Sequence, residues 1–177
     1  MLAVATVGCP VPVQYPLEPE ETPMPPTVLP DWTHPYVGQL QVTEDEKPTF
    51  TVVVDEPNLS DVLEVKAVMG LDRAWSPDLG GEYRVMAEDI FVRPSDTLPP
   101  ADASDMGVGP TVRKKDFTLT WTPCQLGSAG EEPFILVCVT DGSGFQAPPA
   151  GHPNNNPCIP RESAFVDSYA VMILCTL

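Results

Sequence analysis

The sequence has few basic side chains and few histidines. Lys and Arg number 9 against 25 Asp and Glu, which gives a formal net charge of −16, and there are two histidines. Binding to a phosphate backbone needs a positive surface, so this composition argues against a nucleic-acid-binding protein. The same excess of negative charge argues against electrostatic docking on anionic lipid.

The common catalytic motifs are also missing. The sequence contains no H-E-x-x-H, no P-loop, no G-x-G-x-x-G and no C-x-x-C pair, and the serine at 143 lacks the first glycine of a nucleophile elbow. His34 lies in a proline-rich stretch and His152 in a loop rich in Pro and Asn. We therefore expect no enzyme activity, no cofactor and no metal centre. A small hydrolase that uses only carboxylates is the enzymatic alternative, because 25 acids offer many pairs.

The apolar stretch at the N-terminus is too short to span a bilayer, which takes roughly 20 residues. Residues 1–8 are apolar or small, and Cys9 follows. This pattern resembles the end of a bacterial lipoprotein signal peptide, although Thr6 stands where such signals usually have Leu and no Lys or Arg precedes the run. The resemblance implies an exported protein that is lipidated at Cys9. Because Pro10 is not acidic, it also implies anchoring in the outer membrane. The alternative is an ordinary N-terminus without a signal.

Proline is abundant, at 23 of 177 residues against a usual ~5%. Nine prolines fall between residues 10 and 35, with acidic residues interspersed. Such a segment favours extended polyproline II and acts as a semi-rigid spacer, which is what a lipid-anchored domain needs. We predict a disordered, proline-rich linker over residues 9–41. A ligand for a proline-recognition module is disfavoured because no basic flank accompanies the prolines.

Residues 42–177 show the alternation of β-strands. Phe117, Leu119 and Trp121 alternate with threonines, which places all three on one apolar face and predicts a core position for Trp121. Residues 134–139 and 169–174 are apolar on both faces, as in central strands of a sandwich. With six or seven strands and no convincing helix, the region predicts an all-β domain, a single antiparallel β-sandwich.

Two segments carry a family resemblance. Asp116–Pro123 ends in Trp-x-Pro, and the apolar stretch 134–142 ends in Asp-Gly. Together they resemble paired strands of bacterial immunoglobulin-like and cadherin-like surface domains, although the stretch between them, residues 124–133, is longer than the usual turn. The resemblance implies an immunoglobulin-like β-sandwich and no particular activity. We expect a non-catalytic cell-envelope lipoprotein with a structural or protein-interaction role, and with other envelope proteins as partners.

The cysteines support export. Cys9 stands apart, and four cysteines lie in the last third of the chain. One acylated cysteine and two disulfides would account for all five. If the strand at 133–140 pairs antiparallel with the one at 164–176, Cys138 lies near the loop that holds Cys158, and Cys175 lies near Cys124. We therefore prefer the bridges Cys138–Cys158 and Cys124–Cys175, with reduced cysteines in a cytosolic protein as the alternative.

A calcium- or carbohydrate-binding adhesion module is the alternative to a protein-interaction role. Cadherin-like domains often bind calcium, and carboxylate oxygens are suitable ligands. The candidate acids are Asp55, Glu56, Asp72, Asp78, Asp141 and Asp167. For glycans, Trp75 is the best surface candidate among Trp32, Trp75 and Trp121. Solvated surface charge is the simpler interpretation of the acids.

Overall fold

The computed structural model describes residues 24–36, 38–58, 61–70, 83–91, 96, 109, 111–126, 133–142, 144–146, 156–161 and 164–176. These residues form β1 (Thr27–Val28), β2 (Gln39–Thr43), β3 (Thr49–Asp55), β4 (Leu63–Gly70), β5 (Tyr83–Phe91), β6 (Val112–Thr118), α1 (Pro123–Leu126), β7 (Phe134–Asp141) and β8 (Val166–Thr176). Within these ranges, no helix has the length and apolarity that crossing a membrane requires.

The strands form two sheets. The order is β1-β3-β6 in one sheet and β2-β8-β7-β4-β5 in the other. The two N-terminal strands belong to different sheets, β1 to the first and β2 to the second, and every strand pair except β2–β8 is antiparallel. This arrangement is that of an immunoglobulin-like sandwich. The predicted all-β immunoglobulin-like sandwich is confirmed. One pair departs from the antiparallel prediction, because β2 and β8 run parallel, with Gln39 opposite Met172 and Thr43 opposite Thr176.

The sandwich begins earlier in the chain than residue 42. β1 lies within the stretch 9–41 that the sequence predicts as a linker, and β2 begins within it. His34 and Thr51 exchange two backbone hydrogen bonds, of 2.8 and 2.7 Å, so the chain between β1 and β2 is also held against β3. Proline hides these strands in the sequence, because each paired segment is short enough to fit between prolines. Residues 1–23, including Cys9, lie outside the described residues.

The main core lies between the two sheets and is aliphatic and aromatic. Phe50 and Phe117 face each other across β3 and β6, with their ring centroids 5.6 Å apart. The other buried members come from seven strands and one connecting segment: Val28, Val42, Val52, Val54, Leu63, Val65, Ala67, Met69, Met86, Phe91, Leu119, Ile135, Val137, Val139, Tyr169, Val171 and Ile173.

A second apolar cluster lies on the outer face of the five-stranded sheet. It is formed by Val68, Leu136, Cys138, Phe145 and Cys158. The chain between β7 and β8 folds back over this face and brings Phe145 and Cys158 onto it. The apolar run at 134–139 is therefore buried on both sides, by the main core on one face and by this connection on the other.

The alternation of the sequence fails at two places. Tyr83, Val85 and Ala87 alternate with Arg84, Met86 and Glu88 in the sequence, which puts Val85 on the more apolar face. A register shift in the β4–β5 pairing instead turns Val85 outward and buries Met86. Such bulges insert a residue and break the period of two. Trp121 lies beyond the end of β6 and is 48% exposed, whereas Leu119 before it is buried. The Arg84 guanidinium packs over the Trp121 ring, and its central carbon lies 5.0 Å from the centroid of that ring.

The buried hydroxyl of Tyr169 leads to a prediction. Its ring lies 5.0 Å from that of Tyr36, and its oxygen has no hydrogen-bond partner among the described residues. An unsatisfied buried hydroxyl costs about 1–3 kcal/mol, so we expect Tyr169→Phe to raise the free energy of unfolding by about 1 kcal/mol. Urea denaturation measures this, with Tyr36→Phe as the matched control near zero. A clear loss of stability in Tyr169→Phe would show that the hydroxyl has a partner.

Candidate functional site

One end of the sandwich collects polar side chains from several strands. β3 ends there, β4 begins there, and β7 ends there, since Leu63 pairs with Asp141. The Asn58 side-chain amide donates to the main-chain oxygen of Met24 at 3.3 Å, which places the start of the described chain at the same end. We call this end, formed by Met24, Glu56–Asn58, Asp61–Val62, Asp141–Gly142 and Phe165, the N-terminal pole. The opposite end, with Thr43, Cys124 and Thr176, is the C-terminal pole.

Three carboxylates meet at the N-terminal pole. One oxygen from each of Glu56, Asp61 and Asp141 lies within 4.8 Å of the other two. Glu56 is 0% exposed and Asp141 is 6% exposed, whereas Asp61 is half-buried. Deeply buried carboxylates are rare unless they are paired or bind a metal, so this acidic cluster is the candidate functional site.

Backbone groups hold two of the carboxylates in place. The Asn58 N–H donates to Oε1 of Glu56 at 2.8 Å. The Phe165 N–H donates to Oδ1 of Asp141 at 2.5 Å. The second oxygen of Glu56, Oε2, is buried and has no hydrogen-bond partner among the described residues. The cluster therefore contains a fixed acceptor that no protein group in the described chain satisfies.

Burial dominates the electrostatics of the acidic cluster. Loss of hydration raises the pKa of Glu56 to about 7, and the Asn58 N–H opposes this rise. The negative charges of Asp61 and Asp141 raise the pKa of Glu56 further. The positive charge of Arg113 lowers this pKa, and its effect is the smallest of those named here. Burial also raises the pKa of Asp141, and Asp61 adds to that rise. The buried Arg113 donates through Nη1 to the main-chain oxygen of Asp61 at 2.8 Å.

The structure brings together only part of the predicted acid set. Glu56 and Asp141 were candidates from the sequence, and both lie in the cluster. Asp55 instead accepts a hydrogen bond from the Thr111 hydroxyl, and Asp167 accepts one from the Val28 N–H at 2.8 Å. Asp72 and Asp78 lie outside the described residues. Sequence reasoning missed Asp61, and the available signal was its position two residues before β4.

The three consecutive basic residues 113–115 all lie within β6. Arg113 is buried at the acidic cluster, and Lys115 bridges to Asp89 at 3.3 Å and Asp96 at 3.2 Å. Arg113 and Lys115 are two residues apart and share one face of β6, so their different surroundings come from their different positions along the strand.

A groove on the outer face of the five-stranded sheet is the second feature with polar lining. Its volume is about 550 Å³, and it lies between β4, β5 and the β7–β8 connection. Lys66 forms an ion pair with Glu88 at 2.9 Å and lies 4.9 Å from the Phe145 ring centroid. Asp89, also in the groove, pairs with Lys115. Two acids of the groove, Glu88 and Asp89, are therefore held in ion pairs.

The structure pairs the four C-terminal cysteines as Cys124–Cys175 and Cys138–Cys158, the two bridges preferred from the sequence. Their Cα–Cα distances, 5.6 and 5.8 Å, fall in the usual range for disulfides. The first joins α1 to the end of β8 at the C-terminal pole. The second fastens the β7–β8 connection to the outer face of the sheet. Oxidation of these cysteines in the native compartment stays a prediction.

Comparison with known proteins gives few likenesses. No protein-family model matches the chain, and no curated protein matches it. Among solved structures, the chain is similar to RIG-5 IG1, from the crystal structure of its homodimer. The two are 11% identical, the match covers 87% of this chain and 100% of that chain, and the TM-score is 0.35. The fold of this chain is assigned from its own strand order.

Proposed function

We propose that this chain is a non-catalytic protein-interaction module of the cell envelope and that it is anchored through a lipid on Cys9. The module binds its partner at the N-terminal pole. The observation that carries the proposal is a group of exposed apolar side chains there. Val62 is 50% exposed, Phe165 39% and Val166 38%. Single exposed apolar residues are ordinary, but adjacent ones favour an interaction surface.

The main chains of these three residues, which we call the apolar patch, lie close together at the N-terminal pole. The main-chain oxygen of Val62 accepts from the Gly142 N–H at 2.8 Å, and Phe165 bonds to Asp141 directly beside it. The acidic cluster lies next to the patch. A partner with apolar side chains and a basic rim would match both features, since interfaces combine an apolar centre with complementary charge at the edge.

The cysteine pairing supports export. Two disulfides in a small domain suit an oxidising compartment such as the periplasm or the cell surface. The signal-like residues 1–8 and the proline-rich stretch after Cys9 are consistent with an anchor and a spacer. Stable anchoring takes more than one acyl chain, as bacterial lipoproteins carry. Mass spectrometry of the native N-terminal peptide tests the anchor, and an unmodified Cys9 would contradict it.

Glycan binding has less support. Trp32 lies in the β1–β2 connection, and Trp121 follows β6 with Arg84 against its ring. Trp75 lies outside the described residues. A sugar platform needs aromatic rings aligned on one surface, and the two described tryptophans lie on different connections.

The interaction surface is tested with Val62→Asp and Phe165→Asp in the full-length protein, purified from its native envelope after cross-linking. We expect both variants to lose the co-purifying partner by tenfold or more, because a buried aspartate opposes an apolar contact. Met172→Asp, at an equally exposed position on β8, is the matched control and should retain the partner. Equal recovery with all three variants, each verified as folded by circular dichroism, would contradict the proposal.

A further inference from the structure

Among the described residues, the acidic cluster has more negative charge than its neighbours neutralise. Glu56, Asp61 and Asp141 contribute three carboxylates, and Arg113 is the described cation that acts on Glu56. With these four groups ionised, the balance is two negative charges in a largely buried site. Such a balance is satisfied by bound protons or by one divalent cation.

The unpartnered oxygen of Glu56 is the second observation. Glu56 is fully buried, its Oε1 is occupied by the Asn58 N–H, and its Oε2 has no donor among the described residues. Buried acceptors are nearly always satisfied by protein, water or an ion. Because Oε2 belongs to a carboxylate within the cluster, a positively charged ligand is the occupant that this position favours.

The spacing and type of the oxygens fit calcium. Calcium binds oxygen ligands at about 2.3–2.6 Å, so two oxygens on one ion lie up to about 5 Å apart. The three carboxylate oxygens lie within 4.8 Å of one another, inside that limit. Magnesium requires near-ideal octahedral geometry and usually keeps several waters, so a site built from three protein carboxylates favours calcium. The all-oxygen donor set also disfavours zinc and copper.

We propose that Glu56, Asp61 and Asp141 form a calcium site at the N-terminal pole. Asp61 is half-buried, so the ion and its waters reach the cluster from the side on which Asp61 lies. The ion joins three separate parts of the chain: the end of β3, the start of β4 and the end of β7. The ligands of the ion are the carboxylates and not the side chains of the apolar patch, so the calcium site and the apolar contact can be altered by separate variants.

The test is the thermal unfolding midpoint of the full-length protein, first in chelator and then in CaCl₂ or MgCl₂ at 150 mM KCl. At a calcium concentration near 100 times Kd, we expect the midpoint to rise by roughly 5–10 °C. An equal concentration of Mg²⁺ controls for general screening of the net charge of −16 and should give a smaller rise. Isothermal titration with CaCl₂ should show one site.

The variant Glu56→Gln removes a ligand charge and keeps the side-chain shape. We expect it to lose the calcium-induced rise and to be at least as stable as the wild type in chelator, because it buries no carboxylate. The matched control Glu44→Gln changes an exposed acid at the C-terminal pole and should keep the rise. Asp61→Asn, at a half-buried position, provides the same test if Glu56→Gln fails to fold.

The proposal is overturned if calcium raises the midpoint no more than magnesium does, or if Glu56→Gln and Asp61→Asn respond to calcium as the wild type does. Val62→Asp separates this proposal from the proposed function, because it should lose the protein partner and keep the calcium response.

Discussion

Replacing Cys124 and Cys175 together with alanine is expected to lower the free energy of unfolding by about 4 kcal/mol. The two cysteines are 51 residues apart in the sequence, and the stabilisation grows with the length of the loop that a disulfide closes. Replacing Cys138 and Cys158, which are 20 residues apart, is expected to cost about 3 kcal/mol. Urea denaturation of the oxidised proteins should therefore rank the two double variants in this order.

Cys9→Ala is the control for this comparison and should leave the free energy of unfolding unchanged. A reducing agent should destabilise the wild type by more than it does either double variant, since each variant has one bridge left to lose. Four free thiols among these cysteines in protein isolated from its native compartment would contradict both the disulfide prediction and the argument for export.

Phe50→Ala is expected to lower the free energy of unfolding by about 3–5 kcal/mol. The side chain is fully buried between the sheets and stacks on Phe117 across the strand pair. Trp121→Ala removes a larger side chain, yet we expect a loss below about 1 kcal/mol, because the indole is about half exposed and packs mainly on Arg84. Chemical denaturation of both variants measures the contrast.

Phe50→Leu is the intermediate control, with an expected loss of about 1–2 kcal/mol because the replacement stays apolar and fills part of the space. If Trp121→Ala cost as much as Phe50→Ala, Trp121 would belong to the core, as its place in the sequence alternation indicated.

The sequence predicts the sandwich well wherever one face of a strand is buried. Phe117 and Leu119 show this, since their alternation with threonine matches their burial. It fails at Val85 and Met86, because a bulge reverses which residue faces the core and no local composition marks it. It fails again at β1 and β2, because these strands pair with distant strands and lie in or beside a proline-rich stretch. The two-sided burial of 134–139 depends on a connection that folds back from beyond the strand.

The acidic cluster could be predicted only in part. Glu56 and Asp141 were recognised as acids in loops, but their sequence separation gives no local spacing to test. Their proximity depends on the pairing of Leu63 with Asp141, which brings the start of β4 beside the end of β7. Asp61 joins the cluster for the same reason. The burial of Glu56 and Arg113 is also tertiary, since charged side chains of this kind are exposed in most proteins.

The parallel pairing of β2 with β8 determines how the domain transmits mechanical tension. The described chain starts at the N-terminal pole and leaves β8 at the C-terminal pole. A force that pulls these points apart acts first on the short β1–β3 pairing and the His34–Thr51 bridge, and once these open it slides β2 along β8. The five paired positions from Gln39–Met172 to Thr43–Thr176 are then loaded in shear and must break together, whereas peeling would break them one at a time. The Cys124–Cys175 bridge passes part of the force from β8 to the segment after β6. A spacer that pulls from the N-terminal side would therefore act on the domain along a direction in which it is stiff.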